Sequence, residues 1–179
     1  MKALLVIDAQ NAIIEFKDFS KELKRIEKVI RDFKANDAPV LFIRNIEANA
    51  DSLFNRQATS SELHHSLKDY ADHVIEKQTQ SAFYETDLVA TLEKLGVDHL
   101  FITGFNTEFC CMFTAIAAFD RGYKVTFIED ATGTVNDEDK YEMEGLDIRD
   151  FVGTVLYWSK AIEVLDYKEY IEAYGETRV

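Results

Sequence analysis

Short apolar runs rich in β-branched residues alternate along this chain with longer segments of helical periodicity, the pattern of repeated strand–helix–strand units. The runs are Ala3–Ile7, Val40–Ile43, His73–Glu76, His99–Thr103, Lys124–Glu129 and Ala161–Leu165. Phe19, Leu23, Ile26, Ile30 and Phe33 recur at spacings of three and four behind Ser20 as a possible cap, which predicts an amphipathic helix from about residue 20 to 36 before Pro39 opens the next strand. Thr86 is placed to cap a helix through Leu88, Leu92 and Leu95 that Gly96 ends. Phe109, Phe113, Ile116 and Ala117 line a further helix ended by Gly122. The fold expected is α/β, three-layered and doubly wound around a mostly parallel sheet, in a single domain over residues 1–179. The stretch 45–60 is polar and without period, a loop over the rim. In 136–158 only the first, acidic part reads as a helix.

Lys and Arg number 20 against 33 Asp and Glu, a formal net charge of −13, which argues against nucleic acid or an anionic membrane as partner. The apolar run after Met1–Lys2 meets Asp8 too soon for a signal-peptide core. No stretch of about 18 apolar residues is present to span a bilayer, so a cytoplasmic location is expected. Cys110 and Cys111, the only cysteines, are adjacent and form no disulfide framework; they point to a reduced compartment and a reactive or buried thiol.

Three reactive side chains end three of the expected strands. Asp8 follows Ala3–Ile7, Lys77 follows His73–Glu76, and Cys110 begins the helix after His99–Thr103. In an open parallel sheet the carboxyl ends of the strands form one rim where ligands bind, so Asp8, Lys77 and Cys110 are expected to meet there. A thiol between a cation and a carboxylate has what nucleophilic catalysis requires. With Thr107 as helix cap, Cys110 is in the first turn, where the helix N-terminus and the ammonium are expected to lower a thiol pKa from about 8.5. Its backbone N–H is then free to bind an oxyanion.

The segments Leu4–Asn11, Lys77–Phe83 and Gly104–Cys111 resemble, in order and spacing, the three signature blocks of the isochorismatase-like cysteine hydrolases, which include nicotinamidases and N-carbamoylsarcosine amidohydrolases. Thr114, Ala115, Gly122–Tyr123 and Asp130–Ala131 follow the same pattern, so the resemblance runs from about residue 1 to 165. It implies that Cys110 attacks a carbonyl carbon, Asp8 shuttles the proton and Lys77 supports both anions. It also implies an oxyanion hole from the backbone N–H groups of Asn106 and Cys110, with a cis peptide joining Phe105 to Asn106. A small-molecule substrate, no cofactor and a homo-oligomer are the further expectations.

Plainer readings stand beside these. Taken singly, Asp8 is a cap or a polar anchor, Lys77 carries still less weight as a catalytic group, and Cys110 is a small buried hydrophobe, the reading kept for Cys111. Gln10 and Asn11 are turn residues, or hold the Asp8 loop, and Gln10 is also a candidate substrate contact. Phe83, Phe105 and Phe109 are core or pocket walls. Nicotinamidases of the family carry an Asp-x-His pair and a further His after the second strand. Here that region reads Arg44–Asn45–Ile46–Glu47–Ala48–Asn49, and His64–His65, being adjacent, diverge on a helix and read as a solvated face, so no metal is expected. The reading is therefore a cysteine hydrolase of a small amide, ureide or related C–N bond. The alternatives are a metal-dependent nicotinamidase and a non-catalytic binding or scaffold protein. A phosphoacceptor receiver module is disfavoured, since Lys77 stands where the acceptor aspartate would be.

Overall fold

The computed structural model describes residues 1–175. Six strands, β1 (Lys2–Ile7), β2 (Val40–Asn45), β3 (His73–Lys77), β4 (His99–Phe105), β5 (Lys124–Gly133) and β6 (Glu163–Leu165), form one sheet in the order β3-β2-β1-β4-β5-β6. Every pairing is parallel. The fold is α/β, as the alternation of runs predicts. The direction of winding reverses between β1 and β4, which places the crevice of the sheet at their carboxyl ends.

Helices cover both faces. On one face α3 (Leu88–Lys94), α4 (Met112–Asp120) and α6 (Ile148–Trp158) pack Leu92, Ala115, Ala118, Val152 and Leu156 on Leu5, Ile7, Leu100 and Ile102. On the other, α2 (Ser20–Ala35) and α7 (Tyr167–Tyr174) pack Ile26, Ile30, Phe33 and Tyr170 on Leu4, Val6, Phe42 and Phe101. Strand residues of β1 and β4 alternate between the two cores, the two-residue period of a sheet buried on both sides. Two single-turn helices, α1 (Asn11–Ile14) and α5 (Glu138–Tyr141), lie in connections.

Several boundaries differ from the sequence reading. The carboxylate of Asp18, not Ser20, accepts the backbone N–H of Ser20 at the start of α2 (2.9 Å). β4 runs on to Phe105 and β5 to Gly133, so Asp130 lies inside β5, 2.8 Å from the Arg25 guanidinium, rather than at a strand end. α6 has no single period in the sequence because it is apolar on both faces: Ile148, Val152 and Leu156 are buried, while Phe151, Val155 and Trp158 are exposed. Asp147 caps it through Asp150 N (3.1 Å). α7 did have a signal, the capping box Asp166-x-x-Glu169, in which each side chain bonds the other residue's backbone N–H at 2.8 and 2.9 Å.

Candidate active site

β1, β3 and β4 deliver the three reactive side chains to one point. Asp8 follows β1 with φ +48°, a left-handed conformation that aspartate tolerates better than most residues, and its N–H donates to Ile43 O (2.9 Å). Lys77 closes β3 and is in register with Asn45 at the end of β2. Its ammonium donates to Asp8 Oδ2 at 2.8 Å and lies 3.2 Å from Cys110 Sγ and 3.4 Å from Asn45 Oδ1. Both charged side chains are almost completely buried. One cation thus contacts both the carboxylate and the sulfur in a largely buried place, where such contacts are stronger than at a surface.

Proton affinities follow from that burial. Desolvation raises the pKa of Asp8, although Lys77, Cys110 and the Asn45 backbone pull it down. Burial by itself would lower Lys77, but Asp8 and Cys110 outweigh it and the ammonium is held more firmly than an ordinary lysine. The Cys110 thiol is pushed up to about 12, first by burial and then by Asp8, against the opposing pull of Lys77. The expectation of a lowered thiol pKa is therefore corrected: a carboxylate beside a desolvated sulfur costs more than the ammonium returns. At neutral pH the thiol is protonated. The buried Asp8 Oδ1 has no hydrogen-bond partner among the described residues and is free to accept a proton.

Cys110 is on a π-helical turn, Thr107–Cys111, entered from the extended residue Asn106 through a cis peptide bond between Phe105 and Asn106. Thr107 is not the cap expected; its hydroxyl donates to Thr132 Oγ1 on β5 (2.9 Å). The N–H groups of Phe109 and Cys111 both reach Asn106 O at 3.2 Å, and Asn106 Oδ1 accepts from Val135 N at 3.1 Å. Gly104 makes the approach of β4 to β1 possible. Its φ is +115°, and a Cβ there would stand 2.1 Å from Ile7 O.

The remaining candidates fall in different places. Gln10 is fully buried with its amide committed to main chain: Nε2 donates to Asn45 O (2.9 Å) and Ser61 O (2.7 Å), and Oε1 accepts from Asn45 N (2.8 Å). It holds the Asp8 loop against the end of β2. Phe105 points into the α2-side core, edge-on to Phe19 with ring centres 4.8 Å apart. Phe83 is buried on the α3 side, 5.9 Å from the Tyr123 ring centre, whereas Phe109 is 38% exposed. Cys111 is fully buried, as its hydrophobic reading requires. His64 departs from expectation. It lies in the irregular connection between β2 and β3 rather than on a solvated helix face, buried, with its backbone N–H donating to Ala9 O (2.8 Å) and its ring on Ser66 Oγ (2.8 Å). Among the described residues no three His, Cys, Asp or Glu side chains converge as a ligand set.

Two site residues escaped the sequence reading. Asn45, beside Lys77, is betrayed only by sheet register. Glu108 is buried with no cation beside it among the described residues, its Oε1 accepting from Thr134 Oγ1 (2.8 Å), Asn136 Nδ2 (2.6 Å) and Tyr141 OH (3.0 Å), so it ties the loop after β5 to the turn that carries Cys110.

An aspartate, a lysine and a cysteine gathered at the switch point of a parallel sheet define a candidate hydrolase site. Comparison with known proteins agrees: the isochorismatase domain model matches residues 2–159, and this chain belongs to the isochorismatase family. It is 34% identical over 152 residues to nicotinamidase 3 of Arabidopsis thaliana (76% of this chain, 75% of the relative). It is 31% identical over 147 residues to YddQ, an uncharacterized isochorismatase family protein of Bacillus subtilis strain 168 (77% and 82%). A crystal structure of an isochorismatase-type protein from Burkholderia xenovorans LB400 superposes with a TM-score of 0.83 at 32% identity, covering 96% of this chain and 86% of that one.

Proposed function

We propose that this chain is a cysteine hydrolase that cleaves the C–N bond of a small non-peptide amide or ureide through a thioester intermediate, with Asp8, Lys77 and Cys110 as the catalytic residues. The observation that carries the reading is the Lys77 ammonium at 2.8 Å from Asp8 Oδ2 and 3.2 Å from Cys110 Sγ. Membership of a hydrolase family with a nicotinamidase relative supports it.

In the reaction so proposed, Asp8 takes the thiol proton as Cys110 Sγ bonds to the substrate carbonyl carbon. Because the free thiol titrates near 12, proton transfer and attack are coupled, and Lys77 offsets the charge as it forms on sulfur. The backbone N–H groups of Asn106 and Cys110 receive the oxyanion. As the tetrahedral intermediate collapses, the C–N bond breaks and Asp8 returns the proton to the leaving nitrogen. Water, deprotonated by Asp8, then attacks the thioester carbon; the C–S bond breaks, the acid leaves and the thiol regains its proton. Gln10 and Asn45 hold the loop that aims Asp8.

The test is an ammonia-release screen over small amides and carbamoyl compounds, nicotinamide included, with Cys110→Ala as the blank. A substrate turned over by the parent and not by Cys110→Ala establishes the reading. Equal turnover by both proteins would show that another group performs the chemistry.

A further inference from the structure

Asn106, Thr107 and Glu108 are each tied to the end of β5 or to the loop that follows it. Val135 N donates to Asn106 Oδ1 (3.1 Å), and Thr107 Oγ1 donates to Thr132 Oγ1 (2.9 Å). Glu108 Oε1 accepts from Thr134 Oγ1 (2.8 Å), Asn136 Nδ2 (2.6 Å) and Tyr141 OH (3.0 Å). The main chain of the turn holds itself less well, since the N–H groups of Phe109 and Cys111 share one acceptor, Asn106 O, both at 3.2 Å. Single π-helical turns are rare and collect at functional sites. Here side chains from residues 132–141 supply what the local backbone does not.

Glu108 is the centre of these ties and the one that costs the fold most. Its carboxylate is buried with no cation beside it, and its Oε2 has no hydrogen-bond partner among the described residues. Burying a carboxylate in this way is expensive, and an apolar or amide side chain would burden the fold less. Three donors nevertheless converge on its Oε1, an arrangement that a carboxylate oxygen accepts more strongly than a neutral carbonyl does. A group that burdens the fold two residues from Cys110 is explained by what it holds in place.

We propose that Glu108 is a positioning residue: through Thr134, Asn136 and Tyr141 it locks the turn so that Cys110 Sγ stays 3.2 Å from Lys77 Nζ, and the loop after β5 thereby governs turnover without touching substrate. The proposal rests on the reading of Cys110 as the nucleophile. Misplacing a reacting atom by about 1 Å costs roughly a hundredfold in rate, so a turn released from its ties should lose kcat and keep KM. Tyr141 acts through the Glu108 oxygen, so its loss should matter only while Glu108 is present.

Two measurements on the full chain test this. The first is steady-state kinetics on the substrate that the ammonia-release screen identifies. Glu108→Ala should lower kcat by about ten- to a hundredfold, and Glu108→Gln, which keeps a carbonyl oxygen for the same three donors, should return it to within about fivefold of the parent. Tyr141→Phe should cost about threefold alone and nothing further on top of Glu108→Ala. The second measurement needs no turnover: iodoacetamide adducts are counted by mass spectrometry at about pH 8. In the parent the Cys110 thiol, titrating near 12, reacts slowly, and the fully buried Cys111 is protected. Glu108→Ala should react about tenfold faster and at Cys110 alone, giving one adduct, because a freed turn takes the sulfur out of its buried place beside Asp8. Two adducts report unfolding; should Glu108→Ala unfold, Tyr141→Phe at a half-buried position carries the test. A Cys110→Ala protein as active as the parent would sink the reading of the reaction, and alkylation would still decide whether Glu108 holds the turn. With the protein folded, a parental value in either kcat or alkylation rate for Glu108→Ala overturns the proposal. So do two adducts in both Glu108→Ala and Tyr141→Phe, which would show that these residues serve the fold as a whole.

Discussion

Gln10 and Asn45 hold each other through a reciprocal pair of hydrogen bonds, Gln10 Nε2 to Asn45 O at 2.9 Å and Asn45 N to Gln10 Oε1 at 2.8 Å. The pair fastens the loop after β1 to the end of β2, and Asn45 extends the link to Lys77. Gln10→Ala strips Asn45 of both backbone partners in a buried place and should cost roughly 2–3 kcal/mol of stability. Urea unfolding measures this. A loss below about 0.5 kcal/mol, within the range of ordinary surface changes, would show that water replaces the amide without penalty.

The two cysteines should separate cleanly. Cys110 touches Lys77, whereas Cys111 is fully buried in the core with its sulfur 4.0 Å from Thr103 O. Cys110→Ala is expected to lower turnover by several orders of magnitude and Cys111→Val to leave it within about tenfold, since in the proposed reaction one thiol alone is the covalent nucleophile. Equal losses would sink the assignment.

Asp8 and Lys77 act on the thiol with opposite sign, so their removal should move its titration in opposite directions while both changes abolish turnover. Asp8→Asn removes a group that raises the Cys110 pKa from its place near 12, and Lys77→Met removes one that lowers it. The pH midpoint of iodoacetamide alkylation at Cys110 is therefore expected to fall in Asp8→Asn and to rise in Lys77→Met. In kcat/KM the double variant should be little worse than the poorer single one, because residues serving one step are non-additive. Midpoints moving together would contradict the electrostatic account.

His99, far from the site at the amino end of β4, should govern stability in mild acid. Burial, with Lys124 and Lys2, pushes its pKa down to about 4 against the opposing pull of Glu163, and its Nε2 lies 2.8 Å from Thr126 Oγ1. An unfolded histidine titrates near 6.5, so between about 6.5 and 4 the unfolded chain binds more protons than the folded one. Stability falls as pH drops through that window, by up to about 3 kcal/mol. His99→Gln keeps a donor towards Thr126 without a titrating group, and its urea midpoint should vary less with pH across this range. An identical pH profile for parent and variant would place the acid sensitivity elsewhere.

Prolonged dialysis against chelator should leave turnover unchanged, because the proposed oxyanion donors are backbone N–H groups and, among the described residues, no three side chains of metal-ligating type converge. One equivalent of transition metal in the purified protein, with activity lost on its removal, would overturn the expectation.

Strand alternation, the amphipathic α2 and the placing of Asp8, Lys77 and Cys110 at strand ends were all legible, because a parallel sheet converts a position along the chain into a position on its rim. α6 was not, since a helix with apolar stripes on both sides has no single periodicity to detect. Nor was the place of His64, where hydrogen bonds to Ala9 and Ser66 override what two adjacent histidines suggest by themselves.

By itself the sequence determined the fold class, the family resemblance and the identity of the reactive groups, all properties of residue type and spacing. The direction in which the thiol titrates, the partners of Gln10 and the separate fates of Phe105 and Phe109 were decided only by the tertiary structure. Each depends on how far a group is removed from water and on which side chain, 30 to 70 residues away, is brought against it: Lys77 meets Asp8 across 69 residues and Cys110 across 33. Desolvation and Coulomb energy act through distance in space, which the order of residues does not encode.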